Sequence, residues 1–176
     1  MVDPSTPSKD VAEYIESNGL TLEGILLTHG HFDHIGGVKF FKDKFKAKVF
    51  MHGQDVDFID NPLQISRRYD KFAVDVLVND GDELELCGRK IDVIHTPGHS
   101  LGGVCYVLDD VIFCGDTIFK CSYGRTDLRG GDIVQLYESI QKIFNLQGNY
   151  TLLCGHGAPT SLDIERANNP ILGEVY

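Results

Sequence analysis

Residues 28–37 read THGHFDHIGG, and this stretch places three histidines and an aspartate within six positions, directly after an apolar run. His29 and His31 are two residues apart on a loop that leaves a strand, so they can point the same way. The adjacent Asp33 and His34 must diverge from each other. Burying three imidazoles and a carboxylate without a metal would leave polar groups in need of partners. The stretch therefore indicates metal binding, and two pairs aimed at two places predict two ions.

Three further ligand-type residues follow β-like runs later in the chain. His99 lies on the turn of HTPGHS, Asp116 follows the apolar run of FCGDT, and His156 stands between two glycines in LLCGHG. Strand ends are rigidly anchored and their loops face solvent, so these residues are predicted to converge with the histidine cluster. One catalytic zinc ion takes three protein ligands, so five histidines and two aspartates are more than one ion needs. We therefore assign His29, His31 and His99 to one ion and Asp33, His34 and His156 to the other, with Asp116 bridging and a hydroxide between them.

The remaining two histidines, His52 and His95, each stand alone within a β-like run. A single histidine is more often a satisfied core or surface residue than a metal ligand, and a motif match alone is only a hypothesis. We expect structural roles for both, with a supporting position beside the metal site as the alternative for His95.

The chain has 176 residues, enough for one well-packed domain and too few for two ordinary ones, so we expect a single domain spanning residues 1–176. Its 42% hydrophobic and 24% charged residues are typical of soluble globular proteins. The formal net charge of -10 repels phosphate backbones and anionic lipids. Nucleic acids and membranes are therefore not expected as partners.

The five cysteines form no CxxC pair and mostly lie in apolar, strand-like runs, which predicts reduced thiols in the core. No stretch approaches the ~20 apolar residues that cross a bilayer. The N-terminus MVDPSTPSKD lacks the basic and apolar segments of a secretory signal. A reducing cytoplasm is the expected location.

The first half of the sequence predicts a helix followed by a βα unit. In SKDVAEYIESNG, Ser8 is a candidate N-cap and Gly19 a stop, and the spacing of Val11, Tyr14 and Ile15 predicts an apolar face. The order predicted next is a strand at residues 24–28, the histidine loop, a helix with Val38, Phe41 and Phe45 inward, a strand at KVFMH and a small helix from Gln54 to Ile59.

The second half predicts mainly antiparallel strands. DELELCG, KIDVIHT, GVCYVLDD and VIFCGD are β-rich runs separated by turns, and GGDIVQLYESIQKIF, YTLLCG and SLDIERAN predict a helix, a buried strand and a last helix. Residues 60–79 form a long connection that carries Arg67 and Arg68, and such a connection often borders a site. The mixture predicts sheets covered by helices, an α/β sandwich.

The motifs HxHxDH at 29–34, GH at 98–99, GD at 115–116 and GH at 155–156 resemble the metallo-β-lactamase fold. The segments LLTHGHFDHIGG, HTPGHS, GDTIFK, GRTD and CGHG, with the tail ERANNP, are most similar to its glyoxalase II-like, or hydroxyacylglutathione hydrolase-like, branch of the short bacterial type. This resemblance implies an αββα sandwich with the site along one sheet edge. It also places the family's seven metal ligands on the seven residues assigned above.

The sequence departs from this family in three places. The family usually begins with two or three strands before a VDPG turn, whereas this chain opens at MVDPS. We therefore expect a sandwich that lacks the first N-terminal strands, and either a truncated chain or self-association that covers the exposed sheet edge. Leu101 and Gly103 replace a proline and a histidine of the TPGHTPGH pattern. Full-length glyoxalase II enzymes also continue into a helical domain that helps to hold glutathione.

The activity that the resemblance implies is metal-dependent hydrolysis. Two ions would lower the pKa of a shared water from 15.7 toward ~7, and Asp33 is predicted to orient the resulting hydroxide. A thiolate leaves easily and binds zinc well, so a thioester such as S-(2-hydroxyacyl)glutathione is the expected substrate. Two divalent ions are expected, with zinc preferred and iron or manganese as alternatives.

Lys120, Tyr123 and Arg125 follow Asp116 and are predicted to bind the substrate, with solvated loop charges as the alternative. Arg125 offers a bidentate fork to a carboxylate. In similar enzymes a basic residue at this position touches the glutathione portion, a role that the resemblance carries to Arg125.

Other activities share this fold. GRTD and SIQKIF also resemble persulfide dioxygenases, which use one iron ion held by two His and one Asp, but CGHG favours the hydrolase branch. A lactone or ester hydrolase would use the same metals. A β-lactamase is disfavoured because Asp116 stands where one family branch has Cys, and a non-catalytic scaffold is disfavoured by the intact ligand set.

Overall fold

The computed structural model describes residues 1–60 and 69–173. The chain divides into two compact units, Met1–Val78 and Asn79–Tyr176. Each unit has its own sheet and its own hydrophobic core, and both mix helices with strands, as predicted. Arg67 and Arg68 lie outside the described residues, so the role expected of their connection stays a prediction.

The first unit is built around a three-stranded parallel sheet in the order β1-β2-β3. Its elements are α1 (Lys9–Ser17), β1 (Gly24–Leu26), α2 (Phe32–Ile35), α3 (Val38–Phe45), β2 (Lys48–His52), a 3-10 helix (Gly53–Phe58) and β3 (Val76–Val78).

The first three residues run beside β1. The backbone N–H of Leu26 donates to Met1 O at 2.9 Å, the N–H of Asp3 donates to Leu26 O at 3.0 Å, and Val2 forms a parallel bridge with Leu26. Part of the β1 edge is therefore paired. The expected coverage of this edge by a partner chain stays a prediction.

Helix α1 begins as predicted, because Ser8 Oγ accepts a hydrogen bond from the N–H of Val11 at 3.2 Å. The predicted apolar face is partly wrong. Ala12 and Ile15 are buried, whereas Val11 and Tyr14 are 42% and 62% exposed. Ala12 and Ile15 are three residues apart and form the stripe that faces the core. Val11 and Tyr14 each precede one of them by one residue, which turns their side chains about 100° away from that stripe.

Two glycines allow the N-terminal segment to pass close to the start of α3. A Cβ on Gly36 would lie 2.2 Å from Ser5 O, and a Cβ on Gly37 would lie 2.4 Å from Thr6 O. The N–H of Gly37 donates to Pro4 O at 2.7 Å. Downstream, α3 buries Val38 and Phe41 as predicted.

The second unit contains a six-stranded sheet in the order β11-β10-β7-β6-β5-β4 and a separate β8–β9 hairpin. Its strands are β4 (Glu83–Leu86), β5 (Arg89–His95), β6 (Val104–Leu108), β7 (Val111–Gly115), β8 (Ile118–Phe119), β9 (Ser122–Tyr123), β10 (Thr151–Cys154) and β11 (Thr160–Ser161). Its helices are α4 (Ile133–Phe144), α5 (Leu162–Asn168) and a 3-10 helix (Pro170–Gly173). The predicted antiparallel pairing holds from β4 to β7, and β10 then pairs with β7 in parallel.

Helix α4 contributes one face to the second core. Leu136, Ile140 and Ile143 are fully buried, and Asp132 caps the helix by accepting from two backbone N–H groups. Within the part of the chain that the structure describes, no helix is long and apolar enough to cross a membrane.

The prediction of core cysteines holds for part of the set. Cys105 and Cys114 are fully buried in β6 and β7, and Cys154 is half-buried in β10. Cys87 and Cys121 are exposed, because each occupies a tight hairpin turn between two strands.

Candidate metal centre

The histidine cluster of the first unit is buried and tightly packed. His29, His31 and His34 have exposed fractions of 2%, 8% and 3%. The ring of His29 lies 4.7 Å from that of His31 and 4.1 Å from that of His34, between centroids. A buried imidazole in contact with two others is what a metal site in this stretch would require.

The cluster is only partly a loop. His31 is the N-cap of α2, and the N–H of His34 donates to His31 O at 3.0 Å, which closes a helical turn. The prediction of a loop is therefore wrong for Phe32–Ile35, which carries Asp33 in a half-buried position and His34 in a buried one. Adjacent residues on a helix differ in direction by about 100°, yet a carboxylate oxygen of Asp33 and a ring nitrogen of His34 lie within 4.8 Å of each other, so the predicted divergence of these two side chains is wrong.

Asp3 holds the ring of His34 directly and the ring of His29 through the hydroxyl of Thr28. Its Oδ1 accepts from the N–H of Thr28 at 2.8 Å and its Oδ2 accepts from Thr28 Oγ1 at 2.6 Å. The same Oδ2 lies 2.9 Å from Nδ1 of His34, and Thr28 Oγ1 lies 3.1 Å from Nδ1 of His29. The Thr28 proton goes to the carboxylate, so the hydroxyl accepts from His29.

This arrangement fixes the tautomer of both imidazoles. With Nδ1–H engaged, Nε2 is the ring nitrogen that can bind a metal, which is how ligating histidines are usually held. One ligand-type atom from each of Asp3, His29 and His34 lies within 4.8 Å of the others. The sequence alone did not indicate a role for Asp3 at the site, although its VDP segment resembles the turn of the family.

The 3-10 helix supports the same loop from the other side. Asp55 is fully buried, and its carboxylate accepts from the N–H of Gly30 at 2.9 Å. Phe58 meets the ring of His31 edge-on at 5.0 Å. A Cβ on Gly30 would lie 2.8 Å from both Asp55 O and Phe58 Cβ. Only glycine therefore fits between the two histidines, and Asp55 is a supporting residue that no sequence pattern indicated.

The two histidines expected to be structural make local contacts. Nδ1 of His52 accepts from the N–H of Gln54 at 3.4 Å, at the start of the 3-10 helix. Nε2 of His95 lies 3.0 Å from Leu101 O. Both contacts support the predicted structural roles.

In the second unit, Asp116 lies between two histidines. Its Oδ2 is 3.5 Å from Nε2 of His99 and 3.5 Å from Nε2 of His156. These distances are long for a hydrogen bond. They are close to the ~3.3 Å that separates two ligands on one tetrahedral ion with bonds of ~2.0 Å. One carboxylate oxygen is therefore placed to share an ion with each histidine.

Strand pairing explains why two of these ligands meet. β7 and β10 run parallel with Cys154 opposite Gly115, and the N–H of Gly155 donates to Gly115 O at 2.8 Å. Asp116 and His156 follow directly at the same end of the two strands. The side chains of His99 and Asp116 are 6% and 10% exposed, and that of His156 is 54% exposed.

The segment after Asp116 positions His99. Nδ1–H of His99 donates to the carbonyl of Arg125 at 2.7 Å, which leaves Nε2 as the metal-binding nitrogen. A Cβ on Gly124 would lie 1.8 Å from Asp116 O and 3.1 Å from Nδ1 of His99. The glycine of GRTD therefore lets this segment lie against both ligands.

The predicted substrate-binding residues lie on the β8–β9 hairpin and just beyond it. Lys120 and Arg125 are exposed and Tyr123 is half-buried. The guanidinium of Arg125 donates to both carboxylate oxygens of Asp127, at 2.7 and 2.6 Å. This contact lowers the pKa of Asp127 to about 2. In this structure, the fork expected to bind a substrate carboxylate therefore binds Asp127.

The donor set of each unit fits a divalent metal. The first unit offers buried imidazoles with their Nδ1 atoms engaged, and the second offers two imidazoles around one carboxylate oxygen. Imidazole and carboxylate together suit zinc, iron and manganese.

The Metallo-beta-lactamase superfamily profile matches residues 1–156. The chain belongs to this superfamily. Membership confirms the predicted fold family and supports the prediction of a metallo-hydrolase.

Superfamily members with assigned names are similar over most of the chain. It is 35% identical over 179 residues to the probable metallo-hydrolase YqgX of Bacillus subtilis, covering 97% of this chain and 85% of the relative. It is 30% identical over 182 residues to the hydroxyacylglutathione hydrolase GloC of Haemophilus influenzae, covering 98% and 86%. The hydroxyacylglutathione hydrolase of Klebsiella pneumoniae is 37% identical over 156 residues, covering 89% of this chain and 56% of the relative.

Solved structures of the superfamily are also similar. BLEG-1, a B3 metallo-beta-lactamase, has a TM-score of 0.90 at 36% identity, covering 98% of this chain and 88% of the other. TTHA1623, solved in a di-iron-bound form, has a TM-score of 0.86 at 31% identity, covering 96% and 87%. ETHE1 from Myxococcus xanthus has a TM-score of 0.81 at 26% identity, covering 99% and 74%.

Proposed function

We propose that this protein is a dinuclear metal-dependent hydrolase that cleaves thioesters such as S-(2-hydroxyacyl)glutathione. The observation that carries the dinuclear proposal is the position of Asp116 Oδ2, 3.5 Å from a ring nitrogen of each of two histidines. The thioester substrate is supported by the similarity to two relatives named hydroxyacylglutathione hydrolases. The di-iron-bound form of TTHA1623 supports two metals per chain.

The proposed ligand assignment follows the order of the motifs. Asp116 is proposed to bridge the ions, because one oxygen of its carboxylate neighbours two histidines. The other ligands are proposed to be His29, His31 and His99 for one ion, and Asp33, His34 and His156 for the second. Bound divalent ions would supply Lewis acidity, which activates water at neutral pH and polarises a carbonyl.

The chain's own residues would orient the reactants. Asp33 is half-buried on α2, and we propose that its carboxylate orients the attacking water. The Nδ1 contacts of His29, His34 and His99 hold the rings before substrate arrives. A thiol has a pKa near ~8.5, so a thiolate can leave without a strong general acid.

Substrate binding is proposed to use Lys120, Tyr123 and Arg125. Arg125 is paired with Asp127, so a substrate carboxylate would have to replace the Asp127 carboxylate on the guanidinium. Such an exchange keeps both partners ionised and retains the bidentate geometry.

Elemental analysis of the purified protein, followed by assays with S-lactoylglutathione, tests the proposal. We expect about two equivalents of zinc, iron or manganese per chain and hydrolysis that a chelator abolishes. Asp116→Asn should lose most of the activity, whereas Asp92→Asn, on the exposed side of β5, should retain it. A metal content below two equivalents together with no turnover would refute the main proposal.

A β-lactam, which Asp116 disfavours, is kept as a further candidate substrate because the B3 metallo-beta-lactamase BLEG-1 has a TM-score of 0.90 at 36% identity. A lactam nitrogen is a more basic leaving group than a thiolate and needs a proton, so the thioester is preferred. Parallel assays with a cephalosporin, a lactone and glutathione persulfide separate the alternatives. A single iron per chain with sulfite production from the persulfide would instead indicate a persulfide dioxygenase.

A further inference from the structure

The β8–β9 hairpin connects the three candidate ligands of the second unit. It begins two residues after Asp116, and its Phe119 ring meets the ring of His156 edge-on at 6.0 Å. Two residues past its end, the carbonyl of Arg125 accepts from Nδ1 of His99 at 2.7 Å. A displacement of this hairpin would therefore disturb His99, Asp116 and His156 at once.

The turn of this hairpin is held by one buried carboxylate. Glu165 on α5 has no exposed surface, and its two oxygens lie 3.2 and 3.0 Å from the N–H of Cys121, which donates to them. Asn169, just after α5, donates from Nδ2 to Ser122 O at 2.8 Å and to Glu165 Oε2 at 2.8 Å. Glu165 and Asn169 thus contact the backbone of the turn and of the first residue of β9.

The turn itself needs such support. Cys121 has a φ of 51°, a left-handed conformation that a residue with a side chain adopts at a cost. The hairpin has only two residues in each strand, so its own ladder is short. Its geometry therefore depends on contacts from outside the hairpin.

The carboxylate is fully provided with donors. Besides the N–H of Cys121 and Nδ2 of Asn169, Thr160 Oγ1 donates to Oε1 at 2.7 Å. A buried carboxylate is unfavourable unless donors surround it, and a hydrophobic residue would pack the helix without this cost. The buried carboxylate of Glu165 is therefore explained better by the hairpin turn that it holds than by the packing of α5.

We propose that Glu165 is a positioning residue, which holds the turn at Cys121 and thereby keeps the β8–β9 hairpin, and with it His99, Asp116 and His156, in a metal-binding arrangement. The proposal deepens, and rests on, the proposed metal-dependent function. Asn169 assists by linking the carboxylate to the backbone of Ser122. The tail ERANNP, which contains both residues, gains a role that its sequence alone did not disclose.

A pair of substitutions separates hydrogen bonding from packing. Glu165→Ala removes every acceptor from the turn. Glu165→Gln keeps an oxygen for the N–H of Cys121 and for Asn169, and can turn its NH2 toward Thr160, whose hydroxyl is able to accept. Asp163→Asn removes a negative charge from the exposed side of the same helix and is the matched control.

The first measurement is hydrogen exchange of the hairpin amides, which requires neither metal nor substrate. In Glu165→Ala we expect at least about a 10-fold loss of protection at Cys121, with α4 unchanged. Glu165→Gln and Asp163→Asn should stay within about two-fold of the wild type. If Glu165→Ala also exposes α4, Asn169→Ala replaces it, with the same loss expected at the hairpin alone.

The second measurement is zinc affinity by competition with a chelating dye. We expect about a 10-fold to 100-fold weaker affinity in Glu165→Ala, the usual effect of removing a group that orients ligands. Glu165→Gln should restore it to near the wild-type value. Unchanged hairpin protection or unchanged zinc affinity in the variant that keeps α4 protected would overturn the proposal. A protein that binds zinc as expected but does not hydrolyse thioesters would refute the proposed substrate and leave this inference intact.

Discussion

Oδ2 of Asp3 lies 2.9 Å from Nδ1 of His34, a proposed metal ligand 31 residues further along the chain. The same carboxylate accepts two hydrogen bonds from Thr28, which precedes His29. Two proposed ligands of the first unit are thus oriented by one acidic group. An acidic partner on Nδ1 also increases the basicity of Nε2 toward a metal.

Asp3→Asn should weaken metal binding without unfolding the protein. The amide can donate to His34 or accept from it but carries no charge, so the histidines lose their fixed orientation and part of their basicity. We expect about a 10-fold to 100-fold lower zinc affinity by chelator competition. Asp10→Asn, at an exposed position in the first turn of α1, is the control. Equal zinc affinity in both variants would remove Asp3 from this role.

Gly30→Ala should be destabilising because its Cβ would lie 2.8 Å from Asp55 O. Relief of this clash must move the loop that carries His29 and His31. We expect a loss of about 1–3 kcal/mol in the free energy of unfolding, measured with urea, together with weaker zinc binding. Gly53→Ala, where the added Cβ meets Leu77 at an ordinary 3.9 Å, should change neither quantity. A neutral Gly30→Ala would contradict the close contact.

Arg125→Ala should raise KM for S-lactoylglutathione by about 10-fold and change kcat by less than about 3-fold, because binding and not chemistry is affected. Arg89→Ala is the control, since Arg89 is likewise an exposed arginine paired with an aspartate, Asp109. Steady-state kinetics of the two variants decide the point. An unchanged KM in Arg125→Ala would exclude the substrate-binding role.

Asp127→Asn should lower KM, because it removes the carboxylate that competes with substrate for Arg125. The pKa of Asp127 is lowered from 3.8 to about 2, so its carboxylate is ionised above that range and the pair is lost only as the pH falls through about 2. The ratio of the two KM values should therefore be constant from about pH 5 to about pH 8. A ratio that varies over this range would point to another titrating group.

Alkylation by iodoacetamide should distinguish the cysteines. Burial raises the pKa of Cys154 to about 11, so at about pH 8 only about one thiol in a thousand is the reactive thiolate. Cys105 and Cys114 are inaccessible, whereas Cys87 and Cys121 are exposed. Mass spectrometry should show two adducts in the native protein and five after denaturation. Native labelling of Cys154 as fast as Cys87 would contradict the effect of burial.

Local patterns predicted the longer helices and strands, whereas β3 lies in the predicted connection 60–79 and α2 lies in the predicted loop. The spacing of Val38 and Phe41 predicted the buried face of α3, and the segment GGDIVQLYESIQKIF predicted the helix that forms α4. Patterns failed where burial depends on distant partners. The face of α1 was misjudged because Val11 and Tyr14 are as apolar as the residues that do pack.

The supporting residues could not be predicted from local sequence, because each acts over a long separation. Asp55 reaches Gly30 across 25 residues, and Glu165 reaches Cys121 across 44. Aspartate and glutamate are common on surfaces, so composition does not mark the buried ones. The ligand motifs could be recognised because histidines and aspartates beside glycines are an uncommon combination. The supporting residues are common residue types, and only their burial distinguishes them.

The parallel pairing of β7 with β10 has a consequence for how this site could diversify. The spacing of Asp116 and His156 is set by the pairing of Gly115 with Cys154 on neighbouring strands, although about forty positions separate the two ligands along the chain. Residues 126–131 lie beyond the Arg125 carbonyl that orients His99, so they could lengthen or change composition without altering the spacing of these ligands. New substrate preferences can be acquired there by loop exchange while the metal chemistry is inherited unchanged.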